Sequence, residues 1–123
     1  MRTREISRDQ WKPFLDELSR LHLGQKVRLE VLSDGVGVRT EARDLPLLGI
    51  CTDRDGIGRD LIEVILGDSP AAHLTHPVVS PAWVHASEDE AGLSALQIVA
   101  ADGSKTMIHF GRPVGKATPQ AFA

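Results

Sequence analysis

Residues 26–43, KVRLEVLSDGVGVRTEAR, constrain the fold of this chain more than any other stretch. Apolar and polar side chains alternate on both sides of Asp34-Gly35, the pattern of two half-buried strands joined by a tight turn. With Asp34-Gly35 as a two-residue type I′ turn, Val31 faces Val38, Leu29 faces Thr40 and Val27 faces Ala42 on one side of the hairpin. On the other side Glu30 meets Arg39 and Arg28 meets Glu41. A slip of one residue would turn the apolar set toward water and separate both ion pairs, so this register assigns the charges to strand pairing rather than to chemistry.

The rest of the chain follows the same logic. Residues 7–23 carry an amphipathic helix in which Trp11, Phe14, Leu15, Leu18 and His22 recur at helical spacing. Ser7 and Gln10 have capping-box spacing, Ile6 and Trp11 occupy the positions of a hydrophobic staple, Gly24 supplies the stop, and Pro13 weakens the first turn. Beyond the hairpin, Leu45-Pro46 breaks the second strand, and a third runs from Leu47 to Thr52. Asp53-Arg54-Asp55-Gly56 makes a turn. The fourth strand, Leu61 to Leu66, is apolar on both faces except at Glu63 and is expected at the centre of the sheet. Strand character resumes over 74–79 and 82–86, with prolines marking an edge or a bend.

The final hairpin has a loop that parity decides. A two-residue Asp102-Gly103 turn would split the apolar faces, whereas a three-residue loop Ala101-Asp102-Gly103 sets Leu96 opposite Ile108 and Ile98 opposite Thr106, with glycine at the left-handed position. Gln97, Met107 and His109 then share the outer face.

One helix followed by about seven short strands predicts an α+β fold: an N-terminal amphipathic helix capping a bent antiparallel sheet or small SH3-like β-barrel. Residues 1–112 read as a single domain and 113–123, with Pro113, Gly115 and Pro119, as a flexible C-terminal tail. The 14 basic and 17 acidic side chains are interleaved and sum to −3, which offers no field to concentrate nucleic acid or an anionic membrane. The lone cysteine, Cys51, lies in an apolar run where a thiol packs as a small hydrophobe, and cannot form an internal disulfide. With no apolar leader in Met1-Arg2-Thr3-Arg4-Glu5 and no run long enough to span a bilayer, a reducing cytoplasm is the expected location.

Several short motifs together carry a family likeness. Trp11-x-x-Phe14-Leu15, Gly49-Ile50, the run Ile62-x-Val64-Ile65-Leu66-Gly67-Asp68, His73-x-Thr75-His76, and Ala101-Asp102-Gly103 ahead of Phe110 occur in an order that resembles a family of small bacterial single-domain proteins of unknown function. The resemblance covers roughly residues 4–111. It implies a bacterial, intracellular, single-domain protein and brings no activity, cofactor or partner with it.

One constellation could carry chemistry. Asp68, His73 and His76 are legitimate ligands for a divalent ion, and an Asp–His pair can serve as a general base. Their spacing opposes this use: positions 73 and 76 point to opposite faces of a continuous strand and converge only if residues 68–75 form a loop. His76 also shares its face with Leu74 and Val78, the ordinary setting of a packed core histidine. These three residues are the candidate ligand-binding set, with no metal or other cofactor expected. The glycines at 49, 56, 58 and 67 are followed by no helix and no Gly-Lys-Ser/Thr, so they read as turn residues rather than a phosphate loop.

Three functional classes remain. The chain is read first as a non-catalytic binding or structural module, not an enzyme, using an apolar patch around Pro81 and Trp83 for a homodimer or a protein partner. The alternatives are a metal-dependent enzyme built on Asp68, His73 and His76, and an RNA-binding small barrel. The last is opposed by the scarcity of aromatic residues, two of which already belong to the helix.

Overall fold

The computed structural model describes residues 2–54 and 59–111. The tail at 113–123 and part of the expected turn at 53–56 lie outside them. The elements run β1 (Arg2–Glu5), a single 3-10 turn (Arg8–Gln10), α1 (Trp11–Leu21), β2 (Lys26–Ser33), β3 (Gly37–Arg54), β4 (Asp60–Ser69), β5 (Ala72–Val79), β6 (Pro81–Asp89), β7 (Gly92–Ala100) and β8 (Lys105–Phe110). All strand pairs are antiparallel, in the order β1-β6-β7-β8-β2-β3-β4-β5.

Trp11, Leu15 and Leu18 form the buried stripe of α1 and supply roughly 1.5–3 kcal/mol each by leaving water. The opposite face is solvated and carries the pairs Lys12–Asp16 and Arg20–Glu17. The helix begins later than the capping-box spacing suggested. Pro13 has no N–H to give the carbonyl of Asp9, so residues 8–10 tighten into a 3-10 turn, and the Ser7 hydroxyl bonds Asp9 instead of capping. The staple does form: Ile6 and Trp11 are both buried, and the indole N–H donates to the Ile6 carbonyl at 3.0 Å. Gly24, at φ +83°, ends the helical region.

α1 closes one side of the bent sheet. At its beginning the Ile6 N–H extends the β6 ladder by donating to Val84 O at 2.8 Å. Near its end Ser19 reaches the second half of β3, whose other edge is taken by β4. The Ile50 N–H donates to Ser19 Oγ at 2.8 Å, and that hydroxyl's proton lies within reach of both Ile50 O (3.0 Å) and Leu15 O (2.8 Å). An otherwise open stretch of strand edge is thereby satisfied by a helix side chain.

β3 is one continuous strand where a break at Leu45-Pro46 was expected. Asp44 at φ +52° and a register shift between Leu47 and Gly49 bend it, so that its first half pairs with β2 and its second with β4. The halves of the sheet face each other across a core that includes Leu29, Leu96, Ile98 and Ile108 on one side and Leu47, Ile50, Ile62 and Val64 on the other.

Three further expectations need correction. The first hairpin has a three-residue loop, Asp34 to Val36, so Ser33 pairs with Gly37, Leu32 with Val38, Val31 with Arg39 and Glu30 with Thr40. Gly35 and Gly37 both adopt positive φ, the geometry that accommodates the longer loop. A register shift between Glu30 and Leu29 then sets Leu29 opposite Ala42, both buried, and a second lies between Leu29 and Val27, while the charges pair within their own strands, Arg28 with Glu30 and Arg39 with Glu41. Secondly, β4 stands next to the end of the sheet, and β8 and β2 are its middle strands.

Thirdly, the sheet is bent but not closed. Among the described residues no ladder joins β5 to β6 or β1, which leaves the α+β fold without the expected SH3-like closure. The end strand β5 instead meets β6, the neighbour of the other end strand β1, at one residue, Ser80 (φ +51°), which links the two directly. Its N–H donates to Asp60 O and its carbonyl accepts from the Ala101 N–H. The last hairpin matches its expected register, with Leu96 opposite Ile108 and Ile98 opposite Thr106.

Candidate functional site

Asp68, His73 and His76 are held apart by ordinary strand geometry. Asp68 is exposed at a register shift in β4, between Gly67 and Ser69. His73 and His76 lie on β5, where a separation of three places them on opposite faces. The exposed His73 ring donates through Nδ1 to Pro70 O at 2.6 Å, since a carbonyl can only accept. His76 is half-buried, with Nε2 3.3 Å from the hydroxyl of the buried Thr106. Burial holds its pKa below the ordinary histidine value, with Arg39 acting in the same direction and Glu41 opposing it. Among the described residues no three His, Cys, Asp or Glu side chains come together in a way that could hold a metal ion. Cys51 is half-buried, and its thiol is pushed up by burial and then by Glu63 and Asp53, the opposite of what a nucleophile requires.

The feature that does assemble is the outer face of β6, β7, β8, β2 and β3. Paired residues share a face of an antiparallel sheet, so the registers can be followed from strand to strand. Trp83 pairs with Val99, Val99 with Lys105, Lys105 with Leu32 and Leu32 with Val38. This row crosses five strands, about 19 Å at the usual inter-strand spacing. Trp83 is 50% exposed, Leu32 40% and Val38 64%. A parallel row is polar apart from Met107: His85, Gln97, Met107, Glu30 and Thr40, with Glu5 of β1 at its end. Below it His109 Nε2 lies 2.9 Å from Glu30 Oε1, and Arg28 Nε lies 3.3 Å from Glu30 Oε2.

Local backbone events present both ends of the apolar row. A register shift between Pro81 and Trp83 turns the indole outward while Val84 returns to the core. The three-residue loop does the same for Val38, which a two-residue turn would have placed inside beside Val31. Trp83 was legible as an exposed aromatic from its neighbouring prolines. Leu32 and Val38 were not, because their exposure depends on one residue of loop length.

The class so defined is a small α+β domain, one helix on a bent eight-stranded antiparallel sheet, with a broad open face and no clustered metal-binding set among its described residues. The chain belongs to the Family of unknown function (DUF5335), whose model matches residues 2–119. This agrees with the likeness carried by Trp11, Phe14, the 62–68 run and the 101–103 loop. A relative described as "Uncharacterized protein", from Aquifex aeolicus (strain VF5), is 24% identical over 108 residues, covering 88% of this chain and 91% of the relative. No solved structure matches. Neither comparison attaches a catalytic or other specific function to the chain. Among the described residues no helix is long and apolar enough to cross a membrane.

Proposed function

We propose that this chain is a non-catalytic binding module that works through the outer face of its sheet, and that the occupant of this face is a second copy of the chain. The carrying observation is the outward row of exposed Trp83, Leu32 and Val38 with half-buried Val99, interrupted only by Lys105. A tryptophan at the end of an apolar row, bordered by hydrogen-bonding side chains, is the composition in which interface energy concentrates. Size supports the same reading. Six adjacent strands, each about 20 Å long and about 4.8 Å from the next, make a face of roughly 500 Å² in projection. Its corrugated accessible area approaches the roughly 800 Å² per partner of a standard interface. A two-fold axis through the middle of the row would bring each Trp83 against the partner's Leu32 and Val38, a self-complementary contact.

The half-open sheet, with β5 turned onto β6 at Ser80, is the form in which we read the small-barrel expectation. The single half-buried cysteine supports a reducing cytoplasm. A bacterial origin is supported by the Aquifex relative.

Light scattering coupled to gel filtration, with native mass spectrometry on the same sample, tests the proposal. The native chain is expected at twice the chain mass at micromolar concentration, and Trp83→Asp at the monomer mass with an unchanged far-ultraviolet spectrum. A native chain that stays monomeric at about 100 μM, some tenfold above the Kd of a weak dimer, rules out self-association by this face.

A further inference from the structure

Two rows away from Trp83, Leu32 and Val38, the outer face of the sheet changes character. Arg28 lies four residues from Leu32 along β2, about 13 Å away, and its partner on β8 is His109. On the β3 side the ladder pairs Leu29 with Ala42 and Val27 with Leu45, so Arg28 faces two residues, Arg43 and Asp44, where regular pairing would supply one. Ala42 is buried and Leu45 packs against the core, while both intervening residues are exposed. Asp44 makes this bulge at φ +52°, a left-handed conformation that aspartate tolerates better than most residues.

A recess of about 330 Å³ opens at the bulge, and Lys26, Arg28, Arg43, Asp44 and His109 all line it. Glu30 holds two of them from one side: Arg28 Nε lies 3.3 Å from one carboxylate oxygen, and His109 Nε2 donates to the other at 2.9 Å. Because Arg28 is engaged through Nε, the N–H groups of its terminal nitrogens remain unspent. Lys26 and Arg43 have no ion pair among the described residues. Asp44 and Glu30 set against Lys26, Arg28 and Arg43 leave one surplus positive charge, in a chain whose total is −3.

We propose that this recess binds the phosphate group of a small soluble molecule. Two guanidinium forks and an ammonium around one hollow match phosphate oxygens in geometry as well as in charge. The bulge is what assembles them, since the extra residue adds Arg43 to the face on which Lys26 and Arg28 already stand; bulges beside functional sites re-aim side chains in this way. Nucleic acid is the poorer occupant. From His109 the row continues through Ala95, Ser87 and Thr3 without another cation, so no basic track leads out of the recess along which a phosphate backbone could lie. Recess and apolar row share no residue, and the ligand proposed here therefore does not depend on the dimer proposed above.

The test titrates the full, isotopically enriched chain with inorganic phosphate and follows amide chemical shifts, with potassium chloride of equal ionic strength as the comparison. Phosphate is expected to move the amides of Arg28, Arg43 and His109 along saturable curves with a Kd of about 1 mM, while chloride leaves them in place and Val36 stays still in both. The double substitution Lys26→Gln, Arg43→Gln removes two cations that support no ion pair among the described residues. It is expected to keep the native denaturation midpoint and to weaken binding by about tenfold or more. Asp44→Asn keeps a side chain that accepts positive φ and removes the opposing charge, so phosphate should bind about threefold more tightly, a gain that a damaged fold would not produce. Trp83→Asp is expected to bind phosphate as the native chain does, which lets this proposal and the dimer fail separately. Shifts that rise linearly to about 50 mM phosphate, or that chloride reproduces, overturn the proposal, and so does undiminished binding by the double variant. Saturable binding of single-stranded RNA with none of free phosphate overturns it as well, and would assign these cations to nucleic acid.

Discussion

Ser19→Ala removes one oxygen from a half-buried position on α1, yet two backbone groups of a buried β3 residue depend on that oxygen. In the native chain Ser19 Oγ accepts from the Ile50 N–H at 2.8 Å, and its proton is shared between Ile50 O and Leu15 O. Leu15 O retains its helical environment without the hydroxyl. Ile50 loses its partner on this edge, because β4 occupies the other side of the strand and Ile50 is only 1% exposed. An unsatisfied buried group costs about 1–3 kcal/mol. Alanine is the better helix former and recovers about 0.5 kcal/mol. The net loss expected is therefore about 0.5–2.5 kcal/mol, a fall in Tm of about 2–12 °C for a domain of this size. Urea denaturation followed by circular dichroism measures it, and hydrogen exchange at the Ile50 amide localises it. The midpoint should move with the m-value unchanged, the Ile50 amide should exchange faster, and Ser19→Thr, which keeps the hydroxyl, should recover most of the loss. A change below about 0.3 kcal/mol, with Ile50 still protected, would show that water or a backbone shift serves this edge equally well and would refute the reasoning.

Gly67 sits at φ +147°, where an added Cβ would lie 2.5 Å from Ala72 O and 2.8 Å from His73 Cα. Since both obstacles are backbone, Gly67→Ala is expected to cost at least about 2 kcal/mol through overpacking and strain, and a denaturation midpoint equal to that of the native chain would contradict this. For His76, the folded imidazole binds a proton less readily than the unfolded one because burial opposes its charge. The stability associated with it is complete above the unfolded value of about 6.5 and is lost as pH falls from there toward the folded-state value. His76→Gln should flatten that decline in a comparison of unfolding free energies between pH 7 and 5. Parallel curves for the two proteins would refute the assignment.

Legibility followed the range of the interactions. Leu96, Ile98, Thr106 and Ile108 were placed correctly because a short loop and strict alternation leave one register that keeps the apolar residues together. The same argument failed by one residue at Asp34-Gly35, where Val36 joins the loop and Val38 moves outward; alternation constrains a face only if the loop length is already known. β1 escaped notice altogether. Arg2-Thr3-Arg4-Glu5 has no apolar residue and is exposed throughout, and it is a strand only because β6 offers it an edge. The order of the sheet was equally inaccessible, since pairing of β8 with β2 joins residues far apart in sequence. For Asp68, His73 and His76, the period of two already indicated opposed faces at 73 and 76, and β5 takes the extended form that keeps them so. The outer face as a candidate site could be found only in part, since the sequence marks Trp83 while the row through Leu32 and Val38 arises from tertiary register.

The ladder between β2 and β8 also has a consequence for synthesis. β2 to β5 and β6 to β8 are two meanders whose internal pairings are local, and apart from the Ser80 corner the sheet is made continuous by Val27–Phe110 through Leu32–Lys105. A nascent chain can form the first meander and begin the second, but both present an unpaired strand edge until residues 105–110 emerge from the ribosome. The last strand among the described residues is the one that completes the centre of the sheet. Folding therefore waits on loop closure between residues 27–32 and 105–110, which places this small domain among slow, high-contact-order folders and concentrates its risk of edge-to-edge aggregation in the time before that ladder closes.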